Sequence, residues 1–308
     1  MASPLRRPPP DLKAVLPNAP LLDRQFLERL ERLTLRWQKS FPGLVGGHNR
    51  SRFAGGGQEF LDHRGYHQGD DLRAVNWRAF MRLDKMFLKL FQIEPRVPVR
   101  LLLDRSKSMA SNPEKFDYAR RLAAALCYVG LVRHDTIEVI PFASEIQEAS
   151  VCGGGRHRFT PLSNFLEALK PEGETNFLQV VRRFLNDYPQ RGLVIVISDF
   201  LDEGGCDRAL QYIADYGNEL FLIQVWSPED RTPPWTGELD FVDAESGAQL
   251  HIHVDSDARS RYTEEFDRFS DALKTVALRN DGKYAGIPTD TSLDEAIFGT
   301  LIHARGVA

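Results

Sequence analysis

Five oxygen-bearing side chains carry the most chemistry in this chain: Asp104, Ser106, Ser108, Thr175 and Asp199. The first three alternate within Asp104-Arg105-Ser106-Lys107-Ser108, directly after the apolar run Val99 to Leu103, which is interrupted by Arg100. Thr175 lies in Gly173-Glu174-Thr175-Asn176, just before a helical pattern, and Asp199 follows the apolar run Leu193 to Ile197. Two carboxylates and three hydroxyls form a hard donor set. That set suits a divalent cation such as Mg2+ or Mn2+ better than it suits a nucleophile. Two carboxylates neutralise the ion, the hydroxyls add neutral oxygens, and a coordination position stays open for water or an acidic group. Turn and capping chemistry also favours Ser, Thr and Asp at strand-to-helix turns, and is the bland alternative.

The elements that must position these residues are read from periodicity. From residue 99 the rhythm is strand–helix–strand. Val99–Asp104, Thr136–Phe142, Leu193–Ser198, Glu219–Trp226 and Gln249–Val254 read as strands, with Ile146–Val151 as a short edge strand. A helix starts at Ser111-Asn112-Pro113-Glu114, with a cap candidate, a first-turn proline and an early acid, and runs to about Arg133. Pro161–Lys170, Asn176–Tyr188, Asp207–Tyr216 and Asp257–Asn280 are further helices. Such alternation predicts an α/β fold with a doubly wound, mostly parallel sheet. Ligands in such folds bind beyond the carboxyl ends of the strands, where the strand order reverses. That places the five oxygens at one sheet edge.

Upstream, residues 1–20 form a Pro-rich arm, and residues 21–98 a smaller helix-plus-β lobe. Leu22, Phe26, Leu30, Leu33 and Trp37 recur at helical spacing from Leu21 to about Lys39, and Phe87 to Phe91 alternates like a strand. The lobe and arm hold 17 Lys+Arg against 10 Asp+Glu, and residues 99–308 hold 22 against 33. Two mutually attracting parts explain this asymmetry better than nucleic-acid binding, since the basic residues are scattered and carry no nucleic-acid motif. No apolar run approaches the length of a membrane span. Pro8-Pro9-Pro10 follows Arg6-Arg7 where a signal peptide would turn apolar. Cys127, Cys152 and Cys206 are isolated and odd in number, which fits a reducing cytoplasm.

The D-x-S-x-S motif, the Thr in a G-x-T loop and the Asp after an apolar strand resemble the metal-ion-dependent adhesion site (MIDAS) of von Willebrand factor A domains. By that resemblance Ser106, Ser108 and Thr175 bind the metal directly, and Asp104 and Asp199 act directly or through water. A Glu or Asp from a partner completes the coordination sphere. The preceding region reads Gly57-Gln58-Glu59-Phe60, Arg64-Gly65-Tyr66, Gly69-Asp70-Asp71-Leu72-Arg73, Asn76-Trp77 and Lys89-Leu90-Phe91-Gln92-Ile93-Glu94. This series resembles the signature of domain-of-unknown-function family 58 (DUF58), in its shorter soluble branch. Asn76 departs from the Asp usual before that Trp, which removes a charge. On physical grounds Glu59, Arg64, Asp70, Asp71, Arg73 and Glu94 can pair to fix a lobe that lacks a large core, with Tyr66 and Trp77 as apolar anchors.

The resemblance implies a non-enzymatic, metal-dependent binding module working with a MoxR-type AAA+ ATPase in chaperone-like assembly or activation of other proteins. The alternative is a metal-dependent, phosphatase-like hydrolase using Asp104. Against it, the position two residues on, where such enzymes need a general acid, is Ser106. His251 and His253 alternate on one strand, which reads as a half-exposed face rather than a metal site, because no third ligand is placed.

Overall fold

Val99–Asp104 (β3) is buried at every position, as is Leu193–Ser198 (β6), and these two strands form the middle of the main sheet. A strand covered on both faces reads as a continuous apolar run, which is why both are plain in the sequence. The computed structural model describes residues 20–36, 59–68, 70–92, 97–202, 204–242 and 249–308. Among the described residues two strands precede β3, Glu59–Gly65 (β1) and Phe87–Gln92 (β2), and they pair with each other as an antiparallel hairpin. The main sheet adds Ile137–Phe142 (β4), Ser150–Cys152 (β5), Glu219–Trp226 (β7) and Lys283–Pro288 (β10). Its order is β10-β7-β6-β3-β4-β5, all parallel except the short edge strand β5. The chain runs outward from β3 through β4 to β5, then crosses to β6 on the other side. The order therefore reverses between β3 and β6, where a doubly wound sheet opens a crevice at its carboxyl edge.

Helices cover both faces. Leu101 and Leu103 of β3 pack with Ile195 and Ile197 of β6 against the face holding Arg24–Leu30 (α1), Pro113–Val132 (α3) and Phe159–Ala168 (α4). Leu102, Val194 and Val196 point to the opposite face. There Phe177–Asp187 (α5), Asp207–Asp215 (α6) and Ser256–Arg279 (α8) supply Phe177, Val181, Phe184, Leu210, Ile213 and Leu273. This is an α/β, doubly wound architecture with a mostly parallel sheet.

Several expectations change. The helix expected over Leu21–Lys39 spans only Arg24–Leu30, capped by Asp23, whose Oδ1 accepts from the Phe26 amide at 2.8 Å. Leu33 stays buried, but the chain then extends and Leu35 bridges Val307. Trp37 lies outside the described residues. Although grouped with residues 59–98 on sequence, α1 puts Phe26 and Leu30 into the same core as α3.

Gln249–Val254 (β9) is a strand, but outside the main sheet. It pairs with Gly237–Val242 (β8) as a separate hairpin, because neither strand is apolar enough to be covered on both faces. There His251 and His253 sit opposite Asp240 and Glu238, with Nδ1 contacts of 2.6 and 3.0 Å. The remaining helices are α2 (Trp77–Leu83), α7 (Pro228–Arg231) and the short turn α9 (Leu293–Glu295), which continues as a π-type turn over Ala296–Leu301. Among the described residues, no helix is long and apolar enough to cross a membrane.

Candidate metal centre at the strand switch point

Asp104 ends β3 with no exposed surface. Its Oδ1 accepts from the Ser106 amide at 2.9 Å and its Oδ2 from the Ser198 hydroxyl at 2.5 Å. The carboxylate thus braces the loop it starts and ties β3 to the end of β6. Ser106 and Ser108 bring their hydroxyl oxygens to 2.9 Å of each other, and the Ser108 hydroxyl donates to Asp199 Oδ1 at 3.3 Å. Residues 91 positions apart, just beyond the ends of two neighbouring strands, therefore meet over the crevice.

Asp199 is aimed by an unusual backbone. Phe200 takes φ 61°, a left-handed conformation that costs an L-residue roughly 1–2 kcal/mol. It is held there by its amide donating to Ser198 Oγ at 2.7 Å and by its ring stacking on Phe177, centroids 5.6 Å apart. The Leu201 amide also donates to Asp199 Oδ1 at 3.1 Å.

Thr175 arrives on a third segment. Gly173, at φ 82°, turns the chain so that its carbonyl accepts from the Lys107 amide at 3.0 Å, while the Glu172 amide donates to the Arg105 carbonyl at 2.7 Å. The Thr175 loop is thus pinned alongside the Ser106–Ser108 loop, and Thr175 is buried. Next to it, Asn176 caps α5, its Oδ1 accepting from the Gln179 amide at 3.0 Å.

Burial and the charge of Asp199 push the Asp104 carboxyl up from its ordinary 3.8 to about 7, against the hydrogen bonds from Ser198 and Ser106. Two buried carboxylates, Asp199 raising the cost of ionising Asp104, capped by hydroxyls, form a donor set that fits a hard divalent cation. Ser106, Ser108 and Thr175 would hold such an ion, with Asp199 beside them and Asp104 behind the loop.

Sequence reasoning missed three residues here. Ser198 links Asp104 to the Phe200 turn. Lys115, on the first turn of α3, is fully buried and places Nζ 2.9 Å from Asp199 Oδ2 and 3.1 Å from Asp230 Oδ2. Burial lowers its pKa, but Asp199 and Asp230 outweigh that and hold the ammonium above the usual lysine value. Asp230 belongs to a capping box on α7: its Oδ2 accepts from the Ser227 amide at 2.8 Å and its own amide donates to Ser227 Oγ at 3.3 Å. A signal for Lys115 existed, since a cation in a first helical turn opposes the helix dipole and calls for a compensating anion. Asp230 carried none, because the cap alone explains it.

Among the described residues, those of the upstream signature are not part of this centre. Arg64 pairs with Asp70 at 2.7 Å, and Asp70 also accepts from the His67 amide at 2.8 Å, which together hold its carboxyl below the ordinary range. Asp71 caps a short turn by accepting from the Arg73 amide at 2.9 Å rather than pairing with its side chain. Asn76 caps α2 through the Ala79 amide at 3.3 Å and contacts His63 Nε2 at 2.6 Å, so it does the capping an Asp would do. Tyr66 is half-buried, but Trp77 is 52% exposed and meets Phe80 edge-on. It is therefore no core anchor, because α2 buries none of its described residues. Glu59 lies on β1, and Glu94 falls outside the described residues.

The chain is similar to several known proteins. Uncharacterized proteins of Mycobacterium tuberculosis and Mycobacterium bovis are 25% identical over 246 residues, spanning 78% of this chain and 77% of each relative. Among solved structures, the conserved hypothetical protein BatB of Bacteroides thetaiotaomicron is 23% identical, with TM-score 0.42 over 65% of this chain and 95% of that one. The SpRpn10 VWA domain is 10% identical, with TM-score 0.36 over 66% and 93%. These structural likenesses are loose, and the strand order itself carries the fold assignment. The family described as "Protein of unknown function DUF58" matches residues 62–271, more than half of the sequence, and the chain belongs to that family.

Proposed function

We propose that this protein is a non-enzymatic binding module whose switch-point centre takes Mg2+ or Mn2+ and uses it to clasp an acidic side chain of a protein partner. The observation that carries this reading is the meeting of Ser106, Ser108 and Asp199 above a buried Asp104, with the Thr175 loop pinned beside them. These are neutral and anionic oxygens, the donors a hard cation takes. The partner, by the family resemblance, is a MoxR-type AAA+ ATPase or a client it delivers, and chaperone-like remodelling is the partner's work. A hydrolase reading draws no support from the hydrogen-bond partners of Asp104: Ser106 and Ser198 cannot serve as a general acid near neutral pH.

Thermal unfolding of chelator-stripped protein tests the metal. The midpoint should rise with Mg2+ or Mn2+ concentration, since an ion that binds only the folded state stabilises it by mass action. Thr175→Ala and Ser106→Ala should abolish the rise. Co-purification with a MoxR-type ATPase should require the ion and be lost with the same variants. A midpoint indifferent to both ions ends the metal reading, and phosphate-ester turnover abolished by Asp104→Asn would put the hydrolase in its place.

A further inference from the structure

We propose that Lys115 is a built-in cation that sets the charge of the switch-point centre, leaving a bound divalent ion in need of one more carboxylate, which the partner supplies. The inference rests on the metal-clasp reading and adds a residue that decides which ligand the clasp accepts.

Asp199 is divided between two tasks. Its Oδ1 faces the Ser108 hydroxyl, and its Oδ2 is 2.9 Å from the Lys115 ammonium. Lys115 is wholly out of water, so its charge is not screened as a surface lysine's would be. The same ammonium reaches Asp230 at 3.1 Å, and Asp230 is fixed by the Ser227 amide at 2.8 Å. The lysine thus partly neutralises Asp199 from behind. The other carboxylate at the centre, Asp104, is bonded by Ser106 and Ser198 and, among the described residues, by no cation. An ion held by three hydroxyls and this reduced charge stays net positive, which favours an anionic ligand in its open position. Lys115 acts through Asp199, as a positioning residue.

A lysine that were only a strut would give the opposite signature. Removing a strut loosens the centre and weakens metal binding. Removing a like charge one carboxylate away strengthens it. Calorimetric titration with Mg2+ alone separates the two. Lys115→Met should bind Mg2+ about tenfold more tightly than the unmodified protein, the lower end of what a neighbouring charge contributes. Lys115→Arg should leave the affinity near the starting value. Asp230→Asn, at a partly exposed position, should do the reverse and weaken Mg2+ by concentrating the lysine's charge on Asp199. In the Lys115→Met background, Asp230→Asn should lose most of that effect.

Equal or weaker Mg2+ binding by Lys115→Met overturns the proposal. If that variant does not fold, unchanged or tighter binding by Asp230→Asn overturns it instead. Binding by the unmodified protein that Ser106→Ala removes but Lys115→Met does not strengthen defeats the role of Lys115 alone. Folded protein that takes up no Mg2+ with or without Lys115 defeats the metal reading and this inference together.

Discussion

The Asp104 carboxyl, with its pKa raised to about 7, makes a pH prediction with a definite sign. A carboxyl whose folded pKa lies above its unfolded value stabilises the fold when protonated. That contribution is complete below about 4, and it drains away as pH rises through about 7. In chelator, the urea midpoint of the unmodified protein should therefore fall relative to that of Asp104→Asn between these limits. Mg2+ should shrink the fall by favouring the ionised form. A difference between the two proteins that stays constant with pH would mean Asp104 is ionised throughout. At this scale the meeting of Ser106, Ser108 and Asp199 was legible because hard donors at strand ends form a recognisable pattern. Ser198 was not, because it sits in a run that the strand already explains; Lys115 offered only a cation in a first helical turn, and the fold alone shows which anions it meets.

Turns set the reach of the centre, and Gly173 tests this. At φ 82° a side chain is strained, and a Cβ there would come within 3.3 Å of the Ala143 Cβ. Gly173→Ala should cost about 1–2 kcal/mol in equilibrium unfolding. It should also blunt the stabilisation by Mg2+, because the same turn presses the Thr175 loop onto Arg105–Lys107. Full stability with an undiminished Mg2+ response would show that the turn is not what holds the loop. Strands β3, β4, β6 and β7 were legible as long apolar runs. Strand β10 was not, since Lys-Tyr-Ala-Gly-Ile-Pro carries a glycine and a proline that read as loop, yet it pairs in parallel with β7 over six residues. Strand β8, Gly-Glu-Leu-Asp-Phe-Val, needed its hairpin partner to be seen. Helix α1 was overrun because Leu33 keeps the helical spacing while the backbone has already left the helix.

Across the whole molecule, two cores share one sheet, and a second buried ion pair locks its far edge. Lys283 of β10 bonds Glu219 of β7, and its Nζ also donates to the Arg36 carbonyl at 3.0 Å. Both side chains are almost wholly buried. Lys283→Met should cost about 3–5 kcal/mol in chemical denaturation, because it takes the ammonium away from a buried carboxylate. Adding Glu219→Gln should recover part of the loss, and a single variant as stable as the parent would show that the pair is dispensable. The α/β class and the position of the centre followed from strand–helix rhythm. The sharing of one core by α1 and the sheet did not, because periodicity says which face is apolar but not what covers it.

That same edge has a consequence for how the chain is made. Leu35 bridges Val307, and Thr34 and Ala308 exchange hydrogen bonds of 2.6 and 2.9 Å. A ribosome delivers the first of these partners some 270 residues before the second. The centre is slower than its opening motif implies as well, since Asp104 cannot meet Ser198, nor Lys115 meet Asp230, until those later segments have emerged. The nascent protein carries its D-x-S-x-S loop for 91 residues after Ser108 before Asp199 can meet it. During that interval the open edge of β3 is exposed to whatever else the cell offers it.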